Sequence, residues 1–283
     1  MTASIFRSRY GGLQKAKQLA ITLAILCVSG CAAPLASRDA EHTDRVQVIR
    51  ADREFDLDKS VRRVRIVNYH GDIRVKRHDE DTVAIHAVIQ RLPPSFARLQ
   101  LHARRDNGVL QIETGYAKRI DPATPGRIDL AVFLPSATAV SLETRADRIV
   151  VGAREGITEA TSSSGRISAS SRGRLVLHSE SGSIQAAALG GHWQGESRIE
   201  TRSGQIVLLV PTFGGITLDA STGARLSTDF GLSVHRQPDG NMRAHARYGD
   251  GKSRLLVNSA DGEVILEQLV RSSEDGELPD DDD

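Results

Sequence analysis

The sequence predicts an all-β protein whose main part is a β-solenoid, a stack of strand-turn-strand rungs of about 19 residues each. Three observations support this. Aromatic residues make up only 4% of the 283 residues and there are 25 glycines, which favours a core of Val, Ile, Leu and Ala with tight turns. Apolar residues alternate with period two on both sides of a recurring glycine. The repeats are so short that each can bury its apolar face only by stacking on its neighbours.

Residues 1–30 are typical of a secretory signal. A basic segment without acids precedes an apolar run, residues 19–28, that is too short to span a membrane. Val-Ser-Gly then stands directly before Cys31, and in this the segment resembles a bacterial lipoprotein signal. The resemblance implies cleavage before Cys31, acylation of that residue and attachment to a membrane through lipid. Ala32 after the cysteine implies the outer membrane, so we expect an exported, lipid-anchored protein.

Cysteine usage follows from that signal. Cys27 would be removed with the signal and Cys31 would be acylated, which leaves no disulfide and no cysteine-based metal site. Residues 31–54 then form the lipidated cysteine and a tether. At the other end, residues 271–283 are expected to be an acidic disordered tail, because seven of the last ten residues are Asp or Glu.

The β-rich portion that comes next, residues 55–136, has a less regular pattern. Residues 99–114 alternate on both sides of Asp106-Asn107-Gly108, which predicts a hairpin. This portion is either an antiparallel extension of the solenoid or a cap over its open edge.

Residues 137–270 are predicted to form the solenoid rungs, and one similar unit precedes them at residues 64–75. We expect the turn glycine of each rung to supply a positive φ, and Asp147 stands where another glycine is expected. Three residues before each turn, a small residue is expected to form a buried polar ladder, with Ala220 in the Gly223 rung. In that rung Arg225 interrupts the apolar pattern, and one extra turn residue would bring Leu226 into register. The turn glycines are Gly71, Gly165, Gly182, Gly204, Gly223 and Gly262.

Four segments of the repeat, "YHGDIRV", "LHSESGSIQA", "IETRSGQIVL" and "VNSADGEVIL", resemble the repeats of the bacterial putative-adhesin domain families. The resemblance covers about residues 55–270 and implies a β-solenoid domain of the cell envelope. It departs from the family pattern at Asp147 and over residues 229–252.

The sequence predicts no catalytic residues, no metal site and no cofactor. Residues 246–253 match a degenerate phosphate-loop pattern, but a strand is predicted after them where nucleotide binding requires a helix. The histidines show no metal-ligand spacing. A formal net charge of +1 argues against a nucleic-acid partner.

The candidate ligand contacts are outward residues of the turns and one loop residue. Trp193, the only tryptophan, stands in a glycine-rich interval, where it either contacts a partner or folds back on the corner. A sparse arginine stripe is either a solvated face or a site for an anionic ligand. Its members are Arg145, Arg148, Arg166 and Arg202.

The function expected from these features is that of a non-enzymatic, lipid-anchored envelope protein of the adhesin type, whose solenoid presents a binding surface to a protein or glycan partner. Two alternatives stay open. One is a carbohydrate-active enzyme on the same scaffold, which would need a carboxylate cluster on one face. The other is a structural or stress-response envelope protein. The sequence leaves the oligomeric state open.

Overall fold

The computed structural model describes residues 46–58, 60–91, 99–116 and 126–269. The signal segment, Cys31, most of the tether and the acidic tail lie outside these ranges. Within them the secondary structure is all β, as predicted, and no helix could cross a membrane. Residues 137–269 and the described part of residues 55–136 belong to the same compact unit.

The strands alternate between two sheets along most of the chain. In chain order they are β1 (Gln47–Asp56), β2 (Arg63–Val67), β3 (Ile73–Arg77), β4 (Thr82–Arg91), β5 (Leu99–Asp106), β6 (Val109–Tyr116), β7 (Arg127–Leu134), β8 (Ala139–Thr144), β9 (Ile149–Arg154), β10 (Thr158–Ser162), β11 (Ile167–Ser171), β12 (Leu175–Ser179), β13 (Ile184–Ala188), β14 (Glu196–Thr201), β15 (Ile206–Pro211), β16 (Ile216–Thr222), β17 (Leu226–Thr228), β18 (Val234–Arg236), β19 (Met242–Tyr248), β20 (Ser253–Ser259) and β21 (Val264–Leu269).

Each rung contributes one strand to each sheet, and the strands of neighbouring rungs pair in parallel. Sheet 1 has the order β1-β4-β7-β3-β9-β11-β13-β15-β21-β17, and sheet 2 has the order β18-β19-β16-β20-β14-β12-β10-β8-β2-β6-β5. The inward side chains alternate with outward ones and form a core of Ile, Leu, Val and Ala between the sheets. The molecule is therefore a two-sheet β-solenoid.

The order of the rungs in space differs from their order in the chain. After β15 the chain passes to the end rung β16/β17 and the hairpin β18/β19, and only then returns to form β20/β21. The returning rung lies between β14/β15 and β16/β17, with parallel pairing on both sides. This explains the interval of 39 residues between Gly223 and Gly262.

Of the two arrangements considered for the amino-terminal portion, the described strands form the extension of the solenoid, antiparallel at its outer end. β2/β3 and β6/β7 extend the parallel stack, again out of chain order, because β2/β3 lies between β6/β7 and β8/β9. β4 and β1 continue sheet 1 antiparallel, and β5 does the same for sheet 2. The predicted hairpin is the β5–β6 connection, where Asn107 and Gly108 have φ of 47° and 78°.

The turn glycines are needed for space rather than for a positive φ. Only Gly71 of this set has a positive φ, 141°, so the expectation was wrong for the other five. A Cβ on Gly182 would lie 2.1 Å from the Gly165 carbonyl oxygen, and one on Gly204 would lie 2.0 Å from that of Gly182. A Cβ on Gly262 would lie 1.9 Å from the Gly204 oxygen. The corners therefore touch backbone to backbone, where no side chain fits.

The small polar residues before the corners form the buried ladder that the repeat predicts. The Ser162 and Ser179 hydroxyls accept hydrogen bonds from the backbone N–H of the glycine three residues later, at 2.8 and 2.9 Å. Thr201 and Ser259 do the same at 3.0 and 2.8 Å. Each corner is thus closed by a side chain that satisfies a buried N–H.

The end rung departs from the expected alignment. Thr222, not Ala220, pairs with Ser259 and occupies the ladder position, while Ala220 pairs with Val257 in the core. Leu226 pairs with Val264, so its apolar role is confirmed. The corner between Thr222 and Leu226 is one residue shorter than that between Ser259 and Val264, so the expected extra residue was wrong.

Candidate functional site

Two of the predicted arginines bind to their neighbours along one column of corners. Backbone hydrogen bonds place Arg148 beside Arg166 and Arg166 beside Ser183 in successive rungs. The Arg148 guanidinium lies 2.8 Å from the buried Asp72 carboxylate, and Arg166 Nε donates to Ser183 Oγ at 3.2 Å. Both side chains thus have a structural role between rungs.

The other two arginines of the stripe differ from each other. The Arg145 guanidinium lies over the Tyr69 ring, 5.2 Å from its centroid. Arg202 is exposed and borders a concavity on the outer face of sheet 2. Within the described ranges, no hydrogen bond or ion pair holds the Arg202 guanidinium.

Asp147 belongs to an ionic clamp that joins three rungs. Arg127 binds Asp147 at 2.7 Å, Asp72 at 2.8 Å and Asp129 at 2.8 Å, and Arg148 also binds Asp72. Burial alone would raise the pKa of Asp72, but hydrogen bonds from Arg148 and the charges of both arginines outweigh it and hold that pKa below its usual value. The hydrogen bond to Asp129 is the main cause of a raised pKa for Arg127. Asp147, at a position where the repeat predicts glycine, thus supplies a carboxylate that pairs with Arg127 of another rung.

Trp193 folds back onto the solenoid, against the start of β20 in the neighbouring rung. Its indole N–H donates to the Arg254 carbonyl oxygen at 3.3 Å, and its backbone N–H donates to Ser253 Oγ at 2.9 Å. The ring packs partly buried against the core. Trp193 and Arg202 flank opposite ends of β14, about 20 Å apart at the usual rise per residue. They do not share one small site.

The outer face of sheet 2 carries a line of polar side chains across six adjacent strands. Register places His178 of β12 beside Glu200 of β14, followed by Asn258, Ser221, Arg243 and His235. At the usual spacing between strands, this line is about 24 Å long. We call it the polar row; it comprises His178, Glu200, Asn258, Ser221, Arg243 and His235.

Two adjoining concavities lie along the polar row. One, of about 370 Å³, is lined by residues that include Asp219, His235, Arg243 and His245. The other, of about 490 Å³, is lined by residues that include His178, Glu200 and Arg202. Both are bordered by Ser221 and Asn258, whose side chains hydrogen bond to each other. The two concavities therefore form one shallow groove, which we call the sheet 2 groove.

The charged side chains of the sheet 2 groove are largely paired, either with each other or with residues beside the groove. Asp219 Oδ1 lies 2.7 Å from His245 Nδ1, and its other oxygen lies 3.9 Å from Arg254. Glu200 lies 3.7 Å from Arg198. Asp239 lies 3.3 Å from Arg243, and a backbone hydrogen bond from Asn241 is the main cause of its lowered pKa.

Among the charged side chains that line the groove, Arg202 is the one without an ion-pair partner in the described ranges. Hydrogen-bond donors and acceptors therefore line the groove, with one unpaired guanidinium at its edge. Among the described residues, no group of His, Asp or Glu side chains is arranged to hold a metal ion.

Of the residues that line the groove, the sequence-based prediction of ligand contacts includes only Arg202. A signal was present, because His178, Glu200 and Asn258 each stand four residues before their turn glycine. The contribution of β18 and β19 had no such signal, since these strands join the sheet through an antiparallel hairpin outside the repeat.

The phosphate-loop pattern has no helix after it. Residues 249–252 form a turn between β19 and β20, and β20 begins at Ser253, as predicted. The helix amino terminus that would hold phosphates is replaced by a strand of the penultimate rung.

No protein-family model matches the chain, and no curated protein matches it significantly. A solved structure from Clostridium sporogenes, named a putative cell adhesion protein, is similar over 79% of this chain and 100% of its own, with a TM-score of 0.50 and 12% identity. The two chains share a fold. A putative adhesin from Bacteroides fragilis matches 79% of this chain and 97% of its own at 12% identity, with a TM-score of 0.31.

Proposed function

We propose that this protein is a lipid-anchored, non-enzymatic protein of the cell envelope that binds a glycan through the sheet 2 groove. The observation that carries the proposal is the groove itself, a row of Asn, Ser, His and Arg side chains across neighbouring strands. Hydroxyl-rich ligands are held by such fixed donors and acceptors. The fold shared with the Clostridium protein, whose name concerns cell adhesion, supports the same role.

The lining of the groove favours a glycan over a protein partner. Its one large aliphatic side chain among the described lining residues is Leu256. Protein interfaces are built around a desolvated apolar or aromatic centre, which this lining does not provide. A shallow polar groove suits a ligand that keeps much of its hydration.

The carboxylates of the groove favour binding over glycoside hydrolysis. Asp219 contacts His245 and Arg254, and Glu200 contacts Arg198. Hydrolysis needs one carboxyl that hands a proton to the leaving group and a second that acts on the sugar. Carboxylates already held by cations are placed for positioning hydrogen bonds instead.

A glycan array probed with the full chain tests the binding role. Arg202→Ala should weaken binding of the captured glycan roughly tenfold or more, because it removes a charged donor at the groove edge. Arg104→Ala is the matched control, since it removes the same charge from β5 at the far edge of the same sheet. Absence of any bound glycan, or equal loss in both variants, would contradict the proposal. Capture of a protein that Arg202→Ala releases would instead move the role to a protein partner.

The lipid anchor has its own test. Cys31→Ala should move the protein from the membrane fraction to the soluble fraction, because the acyl chains would supply the hold on the membrane. A variant that stays in the membrane fraction would contradict anchoring through Cys31.

A further inference from the structure

The edges of the two sheets are unequal. At one end of the stack the edge strands β17 and β18 have three residues each. At the other end, β1 forms the edge of sheet 1 with ten residues, all paired to β4 on one side. A long edge strand presents a row of backbone N–H and C=O groups that another strand can pair with.

Exposed apolar side chains concentrate at this edge. Of the large hydrophobic side chains exposed in the described ranges, Val46 is 46% exposed and Val48 is 59% exposed, and the third, Val150, lies elsewhere. Both valines are at or beside the start of β1. The edge is thus long, with two exposed valines at its start and five charged residues along its length.

The charges of β1 are complementary to themselves. In an antiparallel pair of identical strands with Ala51 on the two-fold axis, Arg50 of each copy lies opposite Asp52 of the other. Opposite charges at directly facing positions stabilise a strand pair, and like charges destabilise it. An axis at Asp52 or at Arg50 would place that residue against its own copy. Ala51 also lies near the middle of β1, so this register pairs residues 47–55 of both copies, with about nine backbone hydrogen bonds.

We propose that two copies of this chain associate through antiparallel pairing of their β1 edges, with Ala51 on the two-fold axis. The pairing is isologous and joins sheet 1 of one copy to sheet 1 of the other as one continuous sheet. It leaves the sheet 2 groove of each copy outside the contact, so it stands apart from the proposed function. Asp52 contacts His86 of β4 through Oδ1, and its second carboxylate oxygen can accept from Arg50 of the other copy.

Disulfide trapping tests the register. In the full chain with Cys27→Ser and Cys31→Ser, Ala51→Cys supplies a single thiol on the axis, where facing Cα atoms of an antiparallel pair are about 4.5 to 5.5 Å apart. Glu54→Cys is the matched control on the same strand, because this register places its two copies about 20 Å apart. We expect a disulfide-linked dimer from Ala51→Cys and none from Glu54→Cys.

Charge reversal then tests the specific contact. In the Ala51→Cys background, Arg50→Asp or Asp52→Arg should lower the crosslinked fraction about tenfold, since each places like charges opposite one another twice. The double variant Arg50→Asp/Asp52→Arg should restore it, with thermal melting showing that all three variants are folded. No dimer from Ala51→Cys, an equal yield from Glu54→Cys, or a yield unchanged by the single reversals would overturn the proposal.

Discussion

Gly204 shows what the corner glycines do at the scale of single residues. Its backbone is in a conformation open to any residue, yet a Cβ would lie 2.0 Å from the Gly182 carbonyl oxygen of the next rung. The glycine therefore sets the distance between two rungs rather than the direction of the chain. This role depends on contacts between rungs. The pattern within one repeat therefore predicts a glycine at this position, but not that close packing against the neighbouring rung requires it.

Gly204→Ala should destabilise the protein by about 3 kcal/mol, because two backbones would have to move apart. Gly152→Ala is the control, since its nearest neighbour is the Val75 oxygen at 3.6 Å, an ordinary contact. That variant should stay within about 1 kcal/mol of the parent. Chemical denaturation measures both, and equal stability of the two variants would contradict the close-approach explanation.

At the scale of the elements, the clamp around Asp72 connects strands that are distant in sequence. Arg127 begins β7, Asp72 directly precedes β3, and Arg148 directly precedes β9. The clamp thus joins three stacked rungs at one corner. The repeat pattern identifies Asp147 as a departure from the expected glycine. It does not predict that Arg127 is the partner of Asp147, because the rung that contains β7 stacks out of chain order.

Asp72→Asn should lower stability at pH 7 by about 2 kcal/mol, an intermediate value because its arginine partners are partly exposed. The pKa of Asp72 is lowered in the folded state, so its contribution is present above the pKa of the unfolded chain, about 4, and is lost as pH falls through the folded value. The difference between parent and variant should therefore shrink below pH 4. Urea unfolding at pH 7 and pH 3 measures it, with the exposed Asp79→Asn as control; a difference that does not change with pH would contradict the ionic role.

At the scale of the whole molecule, the sequence predicts the class of fold and most rung contents but not the order of the rungs. The alternation around Gly182 and Gly204 depends on local residues, which is why those rungs are recognisable. Which strand pairs with β14 depends on contacts between residues far apart in the chain. β16 and β20 have similar alternation of apolar and polar residues, so the local sequence does not decide which of them pairs with β14. The sheet 2 groove shares this limit, since half of it comes from the displaced strands.

Engineered disulfides distinguish the two possible orders. With Cys27 and Cys31 replaced by Ser, Glu200→Cys/Asn258→Cys should crosslink readily, because these residues pair on adjacent strands β14 and β20. Glu200→Cys/Ser221→Cys should not, since β20 separates them by two strand spacings, about 10 Å. Stacking in chain order would give the reverse result, which mass spectrometry of the oxidised protein would reveal.

The return of the chain to form β20/β21 also bears on how the protein is made. Synthesis runs from the amino terminus, so β20/β21 is made after the end rung and the hairpin β18/β19, which it joins to the rungs before them. This rung therefore takes its place between two parts of the stack that have already been synthesised. A nascent chain that stops short of residue 253 lacks this rung, so β16 and β17 have no parallel partner until it is made.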